Sequence, residues 1–412
     1  MKFTSEKVVV VVGRAIDAFG SLVFLKMLAS AATKQDVGIY LLASSFLAVV
    51  LTVSFSAFDQ GLLRNVTEYS NRMELAARYC AMLVAYAGIA VLLSVAFGVF
   101  LTMTEIAQAM HPVLIPLSLW LVCESIKNLN QTVASGIRSR TLISVAIAAD
   151  YGCRILLLTW FAMDANVGPS NIITLLAVSS IAASAVYLVG QRSLLARFSL
   201  ATVQSTLLDS IRFSWPMIIW GVFGWLQNMS NRWLLNRFVD LPTVAEYGVL
   251  VSIASFPVAA LLGVVVTYIL PILYEQESSC KGSSRKIVIK AALTLVPVCG
   301  LMVFVTAVWH REITILLSGP EYTAHSGMLP IIMAAVCFSS VSSVLTYAVF
   351  AQRRVASLLM ANTFPGAFSL CFGYLAVGAR QFDGAILTLI LSHAIAGALY
   401  VFTYRITRAD NA

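Results

Sequence analysis

The sequence predicts an all-α polytopic membrane protein, with about twelve transmembrane helices in two parallel six-helix lobes around a central cavity. Three observations carry that reading. Of 412 residues, 59% are apolar and only 11% charged, and mean hydropathy is +0.88; a soluble domain carries about a quarter charged residues. Apolar stretches long enough to cross a bilayer recur along the whole chain, separated by short polar connections. Several of those stretches hold ionisable residues, which lipid tolerates only on a face turned to protein or water.

In chain order the spans fall at roughly 8–30, 38–58, 79–102, 107–126, 141–163, 171–190, 213–236, 244–273, 287–309, 328–350, 356–378 and 384–404. Met1 to Lys7 leads straight into a full-length span without a small-residue cleavage site, so the first span reads as a retained helix rather than a signal peptide. The domain expectation is an N-terminal lobe over 1–190, a cytoplasmic linker over 191–212 and a C-terminal lobe over 213–412. The linker fits either an amphipathic segment on the membrane surface or a solvated loop.

Basic residues set the orientation. With the N-terminus inside, inner segments collect basic residues from Lys2 and Lys7 through Lys127, Arg138 and Arg140 to Arg405 and Arg408. The outer side holds only Lys34, Arg237, Arg311 and Arg380. That bias predicts both termini in the cytoplasm. It also accounts for the net charge of +8 without nucleic acid as a partner. The seven cysteines include no CxxC pair and lie mostly in apolar stretches, which suits buried small hydrophobes rather than disulfides or metal ligands.

A weak internal repeat supports the two lobes. Thr33-Lys-Gln-Asp-Val-Gly-Ile-Tyr-Leu-Leu-Ala-Ser44 lies between spans one and two, and Leu241-Pro-Thr-Val-Ala-Glu-Tyr-Gly-Val-Leu-Val-Ser252 between spans seven and eight. Gly136-Ile-Arg-Ser-Arg140 precedes span five as Ala351-Gln-Arg-Arg354 precedes span eleven. Six spans per repeat, an even number, insert both copies in one direction, with a substrate path between them.

The charged positions inside spans are the candidate site. Arg14, Asp17 and Ser21 share one helical face of span one (i, i+3, i+7). Arg14 fits a substrate contact and Asp17 a cation or proton site, or the two form a satisfied pair; both readings need an interior face. Asp150 and Arg154, spaced i, i+4 in span five, fit an ion-coupling carboxylate and a substrate contact, or a structural ion pair. Asn228, Asn231 and Arg232 share a face of span seven, where an Arg–Asn surface can bind sugar hydroxyls, carboxylates or phosphates. Arg232 also suits an interface anchor. Asp59 reads as an ion pair with Arg64 or a turn cap, and His393 as hydrogen-bonded to a neighbouring helix. Pro257, Pro271 and Pro365 are candidate hinges. The outer segment with His310, Glu321 and His325 lacks a metal-site signature, and no cofactor is expected. There is no GxxxxGK[ST] motif, and no extramembrane segment is large enough for an enzyme active site.

Two motifs carry a resemblance. Phe58-Asp-Gln-Gly-Leu-Leu-Arg-Asn-Val-Thr-Glu-Tyr69 lies at the end of span two, and Asn231-Arg232-Trp-Leu-Leu-Asn-Arg-Phe238 at the end of span seven is followed by Glu246-Tyr-Gly-Val. They resemble the Wzx-type O-antigen and polysaccharide flippases of the multidrug/oligosaccharidyl-lipid/polysaccharide exporter superfamily. Asn231 stands where that family carries aspartate. The resemblance implies a flippase, not an enzyme, of the bacterial inner membrane. Its cargo is an undecaprenyl-diphosphate-linked oligosaccharide, moved to the outer leaflet by alternating access. It further implies membrane lipids, a coupling cation (proton or sodium) and polysaccharide polymerase or ligase proteins as partners. Arg14, Arg154 and Arg232 become candidate contacts to diphosphate or acidic sugars. A cation-coupled multidrug exporter and a lipid II flippase are the alternatives on the same scaffold.

Overall fold

A computed structural model of the protein describes residues 2–55, 58–59, 62, 72–102, 110–164, 167–195, 198–279, 284–352 and 355–409. Twelve long helices run through them. In the first hairpin are α1 (Lys2–Ala31) and α2 (Lys34–Val50), the latter ending in a π-helical turn, Leu51–Phe55. Next come α3 (Arg72–Thr102), α4 (Leu114–Gly136), α5 (Arg140–Met163) and α6 (Pro169–Gly190). Then follow α7 (Leu200–Phe238), α8 (Leu241–Ser279), α9 (Ser284–Leu317) and α10 (Leu329–Ala351). The final run, Leu359–Ala409, breaks at Gln381 (φ 50°, ψ −121°) into α11 (359–380) and α12 (382–409). No strand occurs among the described residues. Helices satisfy every backbone group within one segment, which is what hydrocarbon demands. Nine stretches among the described residues are long and apolar enough to cross a membrane, one of them holding both α11 and α12.

The chain divides into two compact units, Met1–Gly221 and Val222–Ala412. In the N-terminal unit α6 packs on α4 and α5, and α1 packs on α5. Two glycines bring α1 close: a Cβ on Gly13 would fall 2.4 Å from Ser144 Oγ, and one on Gly20 2.5 Å from Tyr151 Cγ. Small residues let membrane helices approach, and side chains then hydrogen-bond across them. Ser144 Oγ donates to the Val9 carbonyl at 3.1 Å. In the C-terminal unit α10 packs against α8, α9 and the 359–409 run. Val265, Ala291, Leu295 and Val344 form one apolar cluster there, and Leu273, Val288, Ala348 and Tyr404 another.

The repeated segments occupy matching places. α2 opens after Thr33, whose Oγ1 accepts from Asp36 N at 3.2 Å. α8 opens after Asp240, whose Oδ1 accepts from Thr243 N at 2.8 Å. Each cap satisfies an otherwise orphaned N–H at the first turn.

Several expectations need correction. Span four was expected at 107–126 with Lys127 outside the bilayer; instead α4 runs to Gly136 and Lys127 is buried within it. Its charge does not end the helix because carboxylates meet it there. Residues 200–212 of the expected linker form the first turns of α7. That helix holds 39 residues, about 58 Å at 1.5 Å per residue, nearly twice the hydrocarbon core. Its early turns are pinned to α3 by Arg78, which pairs with Asp209 at 3.3 Å and with Glu74 at 3.1 Å. The departures from helical φ/ψ fall at Trp309 and Gln381, not at Pro257 or Pro365. His393 Nδ1 donates to the Leu389 carbonyl of its own helix, at 3.0 Å. Asp59 accepts from the Tyr86 hydroxyl at 2.8 Å; its expected partner Arg64, with most of the 58–69 motif, lies outside the described residues. The six cysteines among the described residues are free thiols.

Candidate functional site: a charged cavity in the N-terminal unit

Four helices, α1, α4, α5 and α6, bring a set of ionisable groups together. At its centre Asp150 on α5 accepts three charged hydrogen bonds. Arg154, one turn later, binds it through Nε and Nη2, both at 2.9 Å, and Lys127 on α4 donates to it at 2.9 Å. The planar guanidinium matches both carboxylate oxygens at once, a geometry that the i, i+4 spacing on one helix makes possible. Arg154 Nε also reaches Ser179 Oγ on α6 at 3.2 Å, and the guanidinium lies over the Tyr151 ring at 5.0 Å. Lys127 pairs a second time, with Glu124 Oε1 at 2.7 Å. Glu124 in turn accepts from Ser180 Oγ on α6 at 2.6 Å.

A second, wetter cluster sits on α1. Tyr151 donates to Asp17 Oδ1 at 3.1 Å and lies 2.6 Å from Ser21 Oγ. Arg14 pairs with Asp17 at 3.7 Å, with both side chains about four-tenths exposed. Tyr151 is thus the bridge between the α1 pair and the α5 network. Gly20 leaves room for its ring.

These groups border one cavity of about 290 Å³, lined by Asp17, Glu124, Lys127, Asn128, Gln131, Ala146, Ile147, Asp150, Tyr151, Arg154, Ala183 and Tyr187. Nine of those twelve side chains are polar. The lining holds three carboxylates, Asp17, Glu124 and Asp150, against two cations, Lys127 and Arg154. Two of the lining residues, Ala146 and Tyr187, join Ala134 in a small apolar cluster. Such a pocket offers donors and acceptors in quantity and little greasy surface.

No family model and no curated protein matches the sequence. Solved structures do match. A mutant form of the Vibrio cholerae MATE transporter VcmN is 15% identical with a TM-score of 0.64, covering 99% of this chain and 96% of that one. The lipid II flippase MurJ in an inward closed conformation is 12% identical, TM-score 0.67, covering 98% and 87%. An inward-facing multidrug resistance MATE transporter of the MOP superfamily is 13% identical, TM-score 0.68, covering 96% and 95%. The chain has the MATE and MurJ transporter fold.

On this transporter fold the candidate residues named from the sequence separate into two groups. Arg14, Asp17, Asp150 and Arg154 meet in the N-terminal unit as described. Asn228, Asn231 and Arg232 lie on α7 in the C-terminal unit. Asn228 is exposed, its Nδ2 donating to the Gly224 carbonyl at 2.8 Å. Asn231 is fully buried, its Nδ2 donating to the Tyr247 hydroxyl at 3.1 Å and the Ala385 carbonyl at 3.3 Å. That amide ties α7 to α8 and α12. Arg232 is buried beside it. Sequence reasoning missed Glu124, Lys127, Tyr151 and Tyr187. The i, i+3 spacing of Glu124 and Lys127 on one helix was the available signal.

Proposed function

We propose that the protein is a flippase for a polyprenyl-diphosphate-linked oligosaccharide, an O-antigen or exopolysaccharide repeat unit on undecaprenyl diphosphate. It moves this cargo by alternating access from the inner to the outer leaflet of a bacterial cytoplasmic membrane, with both termini cytoplasmic. The observation that supports this reading is the polar lining of the cavity among membrane-spanning helices. Sites for lipophilic drugs are predominantly apolar and aromatic, with few polar groups. Here nine of twelve lining side chains are polar, which suits a sugar with many hydroxyls and a phosphate-bearing link. Arg154 is the leading candidate phosphate contact and Arg14 an approach contact. Asp17, linked to Tyr151, is the carboxylate placed to exchange a coupling proton or sodium ion.

One observation favours a second reading. Three carboxylates against two cations leave the lining formally acidic, as a cation-coupled exporter of the same fold would require. Deleting the gene distinguishes them. The flippase reading expects loss of surface polysaccharide and accumulation of lipid-linked units on the inner leaflet, restored by the wild-type chain. Unchanged glycan with altered drug sensitivity would establish the exporter instead.

A further inference from the structure

The geometry points to Lys127 as a further substrate-contact residue, a second cation beside Arg154 for a phosphate-bearing anion, with Glu124 as its displaceable counter-ion. This rests on the anionic-cargo reading above and names the residues that select for it. An ammonium group has three N–H donors. Two of those on Lys127 are taken, by Glu124 Oε1 at 2.7 Å and Asp150 Oδ2 at 2.9 Å. The third has no partner among the described residues, and Lys127 lines the cavity. Arg154 stands in the same state: Nε and one Nη2 hydrogen are spent on Asp150, which leaves the Nη1 pair and the second Nη2 hydrogen. Asp150 is the common acceptor of both cations, so it fixes the distance between them. It is a positioning residue.

The groups facing Lys127 from every element around it make the exchange specific. From α4 comes Glu124; from α5 come Asp150, Tyr151 and Arg154; from α6 comes Tyr187, with the Ser179 hydroxyl on Arg154 and the Ser180 hydroxyl on Glu124; from α1 comes Asp17. Of the two carboxylates on Lys127, Asp150 is anchored by three charged hydrogen bonds. Among the described residues Glu124 is bonded to Lys127 and the Ser180 hydroxyl. A phosphate oxygen entering the cavity therefore displaces Glu124 more readily than Asp150. Glu124 then acts as an internal competitor, charge-balancing the empty site and releasing Lys127 to an anion but not to a neutral sugar or an organic cation.

The test uses the full-length protein in detergent, with inorganic pyrophosphate as probe at fixed ionic strength and thermal stabilisation as readout. Wild type is expected to show saturable stabilisation, and Lys127→Arg to keep it. Lys127→Met is expected to weaken binding about tenfold, the size of one charged hydrogen bond. Glu124→Gln is expected to tighten it, which a merely structural role for Glu124 would not produce. Lys127→Met leaves Glu124 without its cation while Asp150 keeps Arg154, so the double variant Lys127→Met/Glu124→Gln provides a folded background in which binding must stay weaker than in Glu124→Gln alone. Weakened binding in Arg154→Gln with a double variant that binds as tightly as Glu124→Gln alone overturns the role of Lys127 and leaves the anion reading intact. No response in wild type overturns both.

Discussion

Asp150 and Asp17 are both carboxylates within helices, yet their surroundings give them opposite parts. Asp150 is buried and receives three charged hydrogen bonds from two cations. Removing such an acceptor leaves buried charges facing each other, which costs about 3 kcal/mol. Asp150→Asn should therefore lower the melting temperature sharply in detergent, whether or not cargo is present. Asp17 faces Arg14 across 3.7 Å with both side chains four-tenths exposed. A pair of that kind contributes below about 1 kcal/mol. Arg14→Ala should thus melt near wild type while transport falls, and Arg14→Lys should retain more transport than Arg14→Ala. Equal transport by the two variants would remove charge as the reason for an arginine there. The charges themselves were legible in the sequence, because ionisable residues in apolar stretches demand an interior face. Their partners on the same helix, Arg14 and Arg154, were legible too, but those on other helices were not: Tyr151 reaches Asp17 and Lys127 reaches Asp150 only after α1, α4 and α5 have packed.

For the helices, the apolar pattern anticipated each of the twelve long helices among the described residues, and its errors of extent have a common cause. A hydropathy reading takes a charge near the end of an apolar stretch as its boundary. It therefore ended span four before Lys127, although α4 continues to Gly136 because Glu124 and Asp150 neutralise that ammonium inside the bundle. It likewise set residues 191–212 apart, although α7 carries its helix out from Leu200, held by Arg78 and Asp209. The close α1–α5 seam depends on glycine at two positions one heptad apart. A Cβ at Gly20 would meet the Tyr151 ring at 2.5 Å, so Gly20→Ala must push the ring away from Asp17 and Ser21. Overpacking of this kind costs about 1–3 kcal/mol. Gly88 has nothing within 4 Å of the same added atom. Gly88→Ala should melt at or above the wild-type temperature, and a matching loss in both variants would refute the seam.

Taken whole, the chain keeps the transporter fold over nearly its full length at 12–15% identity to the solved structures. Apolar helical spans survive such divergence because lipid imposes them on any sequence that crosses it. Cargo is not imposed in that way, since it depends on which side chains line a cavity; the α7 residues Asn228, Asn231 and Arg232 were drawn from one face of a helix, where Asn231 is buried with its amide nitrogen bonded to Tyr247 and Ala385. The central claim is that the charged cavity serves a diphosphate-linked saccharide. Its most direct test is leaflet exchange in proteoliposomes containing the purified full-length protein and a fluorescent polyprenyl-diphosphate-linked saccharide. The expected result is protein-dependent movement of that lipid between leaflets, lost in Arg154→Gln, with no transport of a lipophilic cation. Export of the cation with the saccharide lipid left in its original leaflet would contradict the claim.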